Sequence, residues 1–124
     1  MITEGLKYSS CTKVTNDKCA DAMGSGTLPV FATPALVAIM ENAAMLAVAN
    51  ELPDGSTTVG GEISIKHIKP SAIGETITAT ATVTAVDGRK LTFALTAHDE
   101  SGIVGEGTHV RFIVGIEKFM SKLS

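Results

Sequence analysis

Three polar side chains stand in otherwise apolar stretches of this chain: Thr33, Glu41 and His67, separated by steps of eight and 26 positions. Glu41 lies in a run of Ala, Val, Leu, Ile and Met, where a carboxylate is costly to bury without a partner. It belongs either to a narrow solvated stripe beside Asn42 or to a site. His67 follows Ile63 and Ile65 in alternating phase, which turns its ring to the core side at a strand end before Pro70. Such a histidine is either a hydrogen-bonded structural residue or, near a carboxylate, an acid–base group that works close to neutral pH. Thr33-Pro34 reads as an N-cap with proline at the first helical position. A hydroxyl at that helix terminus also lies where developing negative charge is stabilised.

Other residues add to this set with two readings each. Gly60-Gly61 inside a strand implies either a bulge or a backbone that something must approach closely. Arg111 falls opposite Val110 and Phe112, with His109 and Ile113, and can pair with a buried carboxylate, bind a phosphate or face solvent. His98 and His109 find no partner by spacing and read as structural. There is no serine elbow, P-loop, dinucleotide fingerprint or metal-ligand spacing, so no metal is expected. Gly105-x-Gly107 lies within a strand and lacks a third glycine.

The elements that must position these residues follow from hydrophobic periodicity. Leu6 to about Val14 reads as a short strand, and Asn16–Pro29 as an irregular, mobile loop with Gly24, Gly26 and Pro29. A helix spans about residues 34–50 until Pro53-Asp54-Gly55 stops it. It is apolar on nearly every face, so something must wrap around it. From Thr57 the period becomes two, with Val59, Gly61, Ile63, Ile65 and His67 on one face. Ile77, Ala79, Ala81, Val83 and Ala85 then alternate with threonines, Asp87-Gly88 turns, and Leu91, Phe93, Leu95 and Ala97 return. The last strand runs from Val104 to Ile116, with Val110, Phe112, Val114 and Ile116 in phase. Short turns imply antiparallel neighbours. The expected fold is α+β: a curved antiparallel sheet of about five strands wrapped around one long central helix, residues 1–124 forming one domain. A single sheet on one helix is thin, and dimerisation extends such a core.

Composition narrows the functional classes. The 124 residues are 44% hydrophobic and carry a formal net charge of −3, which supports a packed core and argues against a non-specific nucleic-acid binder. The longest apolar run is too short and too polar to span a membrane. The start of the chain lacks an apolar leader core, and two cysteines in such a chain are expected reduced, in the cytoplasm.

Taken together, Val30–Glu41, Val59–His67 and Ala97–Phe119 make the chain resemble the hotdog-fold acyl-CoA thioesterases, closest to the fluoroacetyl-CoA thioesterase family. The resemblance implies that Thr33, Glu41 and His67 are catalytic, that Gly60, with its neighbour Gly61, lies beside the substrate carbonyl, and that Arg111 stands near the site. It implies a homodimer with sites at the subunit interface, alone or as a dimer of dimers, and no cofactor beyond the coenzyme A of the acyl-CoA substrate. Glu41 would be nucleophile or general base, Thr33 a donor to Glu41 or the oxyanion, and His67 a polarising group or the proton donor to the thiolate. Lys66, Lys69, Arg89 and Lys90 are candidate contacts for the coenzyme A phosphates. Fluoroacetyl-selective members carry phenylalanines before the helix, whereas Asn16–Pro29 holds no aromatic residue. Thioester hydrolysis is therefore expected without selectivity for the fluoroacetyl group. The competing readings are a non-catalytic acyl-CoA binding module, which would not need Glu41, and an enoyl-thioester hydratase, whose helix-region motif is missing.

Overall fold

In the computed structural model, which describes residues 1–123, five strands form one antiparallel sheet: β1 (Lys7–Lys13), β2 (Ser56–His67), β3 (Thr76–Asp87), β4 (Lys90–Asp99) and β5 (Gly102–Gly115). Their order is β1-β3-β4-β5-β2, so β2 and β1 are the two edges. The helices are α1 (Ala20–Met23), α2 (Thr33–Ala49) and α3 (Ile116–Ser121). Helix α2 packs Leu36, Met40, Ala43, Ala44 and Val48, all fully buried, onto Ile77, Ala79, Ala81, Phe93 and Leu95 of the sheet. Full burial of each large side chain in this set is worth about 1.5–3 kcal/mol. The alternation of threonine with Ile, Ala and Val holds along β3, whose apolar residues are the buried ones.

The sheet covers only one side of α2. Ala38 is exposed, and Val37, Glu41 and Met45 are half-buried, so the apolar helix is not wrapped on every face. Nor is Thr33 the N-cap. Ala32 holds that position and Thr33 is already helical, with its hydroxyl engaged elsewhere. The segment before α2 is also more ordered than a loop. A 3-10 turn (Asn16–Lys18) and α1 are fastened by bonds from Ala20 N to Val30 O and from Asp21 N to Leu28 O, and the fully buried Cys19 bridges to Phe31. Gly24 ends α1 with φ 77°, a left-handed conformation that favours glycine.

Strand phase also departs from simple alternation. The β2–β5 register slips between Gly60 and Glu62, leaving Gly61 as the extra residue of a bulge. Thr58 and Gly60 therefore share the inner face with Ile63, Ile65 and His67, whereas Val59 turns outward opposite Phe112. On β5 the inward set is His109, Arg111 and Ile113, and Phe112 is 39% exposed. The final strand ends at Gly115, where α3 begins. Gly107 allows β2 and β5 their close approach: a Cβ there would lie 2.1 Å from the Ser64 carbonyl oxygen.

The β4–β5 turn is organised by the buried Asp99. It accepts from Ser71 Oγ at 2.8 Å, Ser101 N at 2.8 Å, Ser101 Oγ at 3.0 Å and Gly102 N at 3.1 Å, and it pairs with Lys69. Burial alone would raise its pKa, but Lys69 and the Ser101 and Ser71 donors outweigh it and hold the carboxyl far below the usual range. Because the folded value is depressed, this stabilisation is complete above about pH 4, the unfolded carboxylate range. It is lost as pH falls toward the folded value. Asp99→Ala is expected to cost about 2 kcal/mol at neutral pH and to flatten the acid limb of a thermal-stability profile. An unchanged melting temperature would refute this role.

Candidate active site

Two polar clusters form on the open side of α2. In the first, Thr33 Oγ1 lies 2.7 Å from Nδ1 of His67, joining the start of the helix to the end of β2. The His67 ring meets Phe31 edge-on at 6.4 Å. Its Nε2 is buried and has no hydrogen-bond partner among the described residues. Burial lowers the His67 pKa, partly offset by the Lys69 backbone, so the ring is neutral at pH 7. A hollow of about 300 Å³ opens here, bordered by Ala20, Ser25, Phe31, Thr33, His67 and Pro70.

The second cluster surrounds Glu41. Its Oε2 lies 3.8 Å from Nη1 of Arg111 and, with the side chain 40% exposed, faces solvent on its other side. Arg111 is itself buried. Its Nε donates to Thr58 Oγ1 at 2.9 Å, its Nη2 to the Thr58 carbonyl at 3.0 Å, and its Nη1 to His109 Nε2 at 3.1 Å. Of the three options open to Arg111, the fold selects carboxylate pairing. Burial lowers its pKa and Glu41 opposes that, but a guanidinium keeps its charge. His109 Nδ1 lies 2.8 Å from the Glu62 carbonyl, which can only accept, so Nδ1 carries the proton and Nε2 is the acceptor for Arg111. Burial pushes the His109 pKa down, Arg111 adds to this, and the Glu62 carbonyl and Glu41 oppose it.

Gly60 and Gly61 do different things. A Cβ on Gly60 would stand 2.8 Å from Glu41 Oε2, so bare backbone is what lies against the carboxylate. A Cβ on Gly61 would strike the Phe112 ring at 2.5 Å, away from Glu41. Thr33 bonds to His67 rather than to Glu41 of its own chain. Eight helical positions separate Thr33 from Glu41 by about 12 Å. Of the lysines considered for phosphate contact, Lys69 is committed to Asp99. Arg89 instead borders a hollow of about 130 Å³ with Lys118, Lys122 and Phe119. Reading the sequence missed Thr58 and His109 as members of the Glu41 cluster. The signal for His109 was present, since two residues' separation puts it on the same strand face as Arg111. Thr58 could not be found that way, because its face depends on the bulge.

Among the described residues no helix is long and apolar enough to cross a membrane, and no group of three His, Cys, Asp or Glu could hold a metal. A curled five-stranded antiparallel sheet against one long helix, with these polar residues on the helix's open side, is the architecture of the hotdog thioesterases. The model of the fluoroacetyl-CoA-specific thioesterase family (FlK) matches residues 14–117, and the chain belongs to that family, making it an acyl-CoA thioester hydrolase. The fluoroacetyl-CoA thioesterase of Streptantibioticus cattleyicolor is 38% identical over 94 residues, 76% of this chain and 68% of that protein. A solved structure of the fluoroacetyl-CoA thioesterase FlK superposes with a TM-score of 0.94 at 30% identity, over 99% of this chain and 96% of that one. A mutant of that enzyme in complex with fluoroacetate and CoA gives 0.90 at 31% identity, over 95% and 99%. A thioesterase superfamily member from Thermus thermophilus, 23% identical, shares the fold with a TM-score of 0.92 over 99% of this chain and 91% of its own.

Proposed function

We propose that this chain hydrolyses a small acyl-CoA thioester without selectivity for fluorine, at sites that two copies of the chain build together. Glu41 is the nucleophile or general base, and Thr33 with His67 handles the proton and the carbonyl. The observation that carries the reading is the Glu41 carboxylate, held between Arg111 and the bare backbone of Gly60 and open on its remaining side. Such a carboxylate can attack the thioester carbon, breaking the C–S bond to leave a mixed anhydride that water then opens. Equally, it can take a proton from a water that attacks directly. On either route the products are the acid and coenzyme A. A neutral His67 that accepts from Thr33 at Nδ1 carries its proton on Nε2. That proton can first bond the carbonyl oxygen and then pass to the departing thiolate. A backbone N–H near Gly60 completes the oxyanion site. Coenzyme A arrives as part of the substrate, and no further cofactor or metal is required. Reduced thiols fit work in the cytoplasm.

The spacing supports the two-chain site. One carbonyl cannot touch Glu41 and His67 of the same chain when about 12 Å of helix separates Glu41 from the Thr33–His67 pair. Strand β2 is an edge strand with unpaired backbone groups along one side. Antiparallel pairing of β2 with its copy, Ser64 opposite the partner's Ser64, keeps like faces together and brings His67 across from the bulge at the partner's Gly60 and the partner's Gly61. Each site then takes Thr33 and His67 from one chain and Glu41, Gly60 and Arg111 from the other. The absence of aromatics from Asn16–Pro29 supports the lack of fluorine selectivity, since Ala20 and Ser25 of that segment border the hollow beside Phe31.

Thiol release from acetyl-, fluoroacetyl-, medium-chain and aryl-acetyl-CoA tests the substrate. Strong preference for fluoroacetyl-CoA would refute that part. On the preferred ester, mixing the inactive Glu41→Gln and His67→Ala chains, with subunit exchange, is expected to recover about a quarter of wild-type sites, because half the dimers are mixed and each holds one intact site. No recovery would sink the shared site.

A further inference from the structure

We infer that His109 is a positioning residue for this chemistry: its neutral imidazole ties Arg111 to the β2 bulge and thereby sets the Glu41 carboxylate against Gly60. The inference rests on the reading of Glu41 above. His109 is 1% exposed, so both ring nitrogens must be satisfied within the protein. One donates to the carbonyl of Glu62, the first residue after the bulge, and the other accepts from Arg111. The ring also lies against the bulge itself, its Cε1 being 3.4 Å from where a Gly60 Cβ would stand. Phe93 of β4 packs beside it at 6.1 Å. The groups that face the ring are therefore Arg111 of β5, Glu41 of α2, the Glu62 carbonyl and Gly60 of β2, and Phe93 of β4.

This arrangement does something a hydrophobic filler could not. With Nε on Thr58 Oγ1, Nη2 on the Thr58 carbonyl and one Nη1 proton on His109, the guanidinium cannot swing, and its Nη1 stays at the Glu41 carboxylate. Protonating His109 would remove the acceptor and set cation against cation, releasing Arg111 from that position. Burial opposes such protonation, so the lock holds near neutral pH.

Two measurements on the full chain test this. Ring nitrogen chemical shifts of the 15N-labelled wild type are expected to show Nδ1 protonated and Nε2 bare, down to about pH 6, where a free imidazole is mostly charged. In kinetics, His109→Leu is expected to lower kcat by about tenfold or more while moving KM by less than about threefold, the loss of one acceptor for a charged donor. His109→Gln, with donor and acceptor on one planar group, should recover most of it. Protonation at Nε2 overturns the inference even if His109→Leu fails to fold. So does unchanged kcat in both variants while Glu41→Gln is inactive. If Glu41→Gln itself retains turnover, the reading of Glu41 falls and takes the inference with it.

Discussion

Glu41→Gln is expected to lower thiol release by about 10³-fold or more, because an amide can neither attack the thioester carbon nor take a proton from water. The fold should tolerate it. The amide has the same shape, the side chain is 40% exposed, and the contact to Arg111 at 3.8 Å is long. The change in stability should stay at about 1 kcal/mol, because the buried Arg111 keeps its bonds to Thr58 and His109 and the amide oxygen can still face it. Activity and stability thus separate in one variant, measured by thiol release and thermal unfolding on the same preparation. Turnover retained within a few-fold would refute the assigned role. Acyl-CoA binding with no turnover even in wild type would instead point to a binding module.

Gly60→Ala is expected to reduce kcat by about a hundredfold, the scale of a misplacement near 1 Å at a reacting group. The added methyl would meet Glu41 Oε2 at 2.8 Å, and that oxygen is the far end of a flexible side chain. The carboxylate gives way rather than the backbone, so melting temperature should change little. Gly61→Ala provides the contrast. Its methyl would meet the Phe112 ring at 2.5 Å on the outer face, so the loss should appear in stability more than in kcat. Equal effects of the two substitutions on kcat would mean that the bulge matters only as a whole. The Glu41 contact would then not be the reason for Gly60.

Much of this was legible because it is local. The alternation in β3 and β4 and the apolar run of α2 reflect periods of two and of about 3.6 residues, which backbone geometry imposes on any chain. Short turns such as Asp87-Gly88 then leave few topologies besides an antiparallel sheet on a helix. The polar residues at odds with their surroundings, Glu41 and His67, could be singled out because burying them unpartnered is costly.

The tertiary structure decided the rest. Whether Thr33 caps its helix or bonds His67 depends on where the end of β2 comes to lie, 34 residues away in sequence. The bulge at Gly61 reverses the phase of everything before it, and alternation alone cannot place such an insertion. Arg111 had three possible partners by sequence; only packing beside Thr58, His109 and Glu41 chose among them. Periodicity is written residue by residue along the chain, so sequence by itself determined the elements and the unusual side chains. Hydrogen-bond partners are set by register and by distant segments meeting, so the wiring of the site belonged to the fold alone.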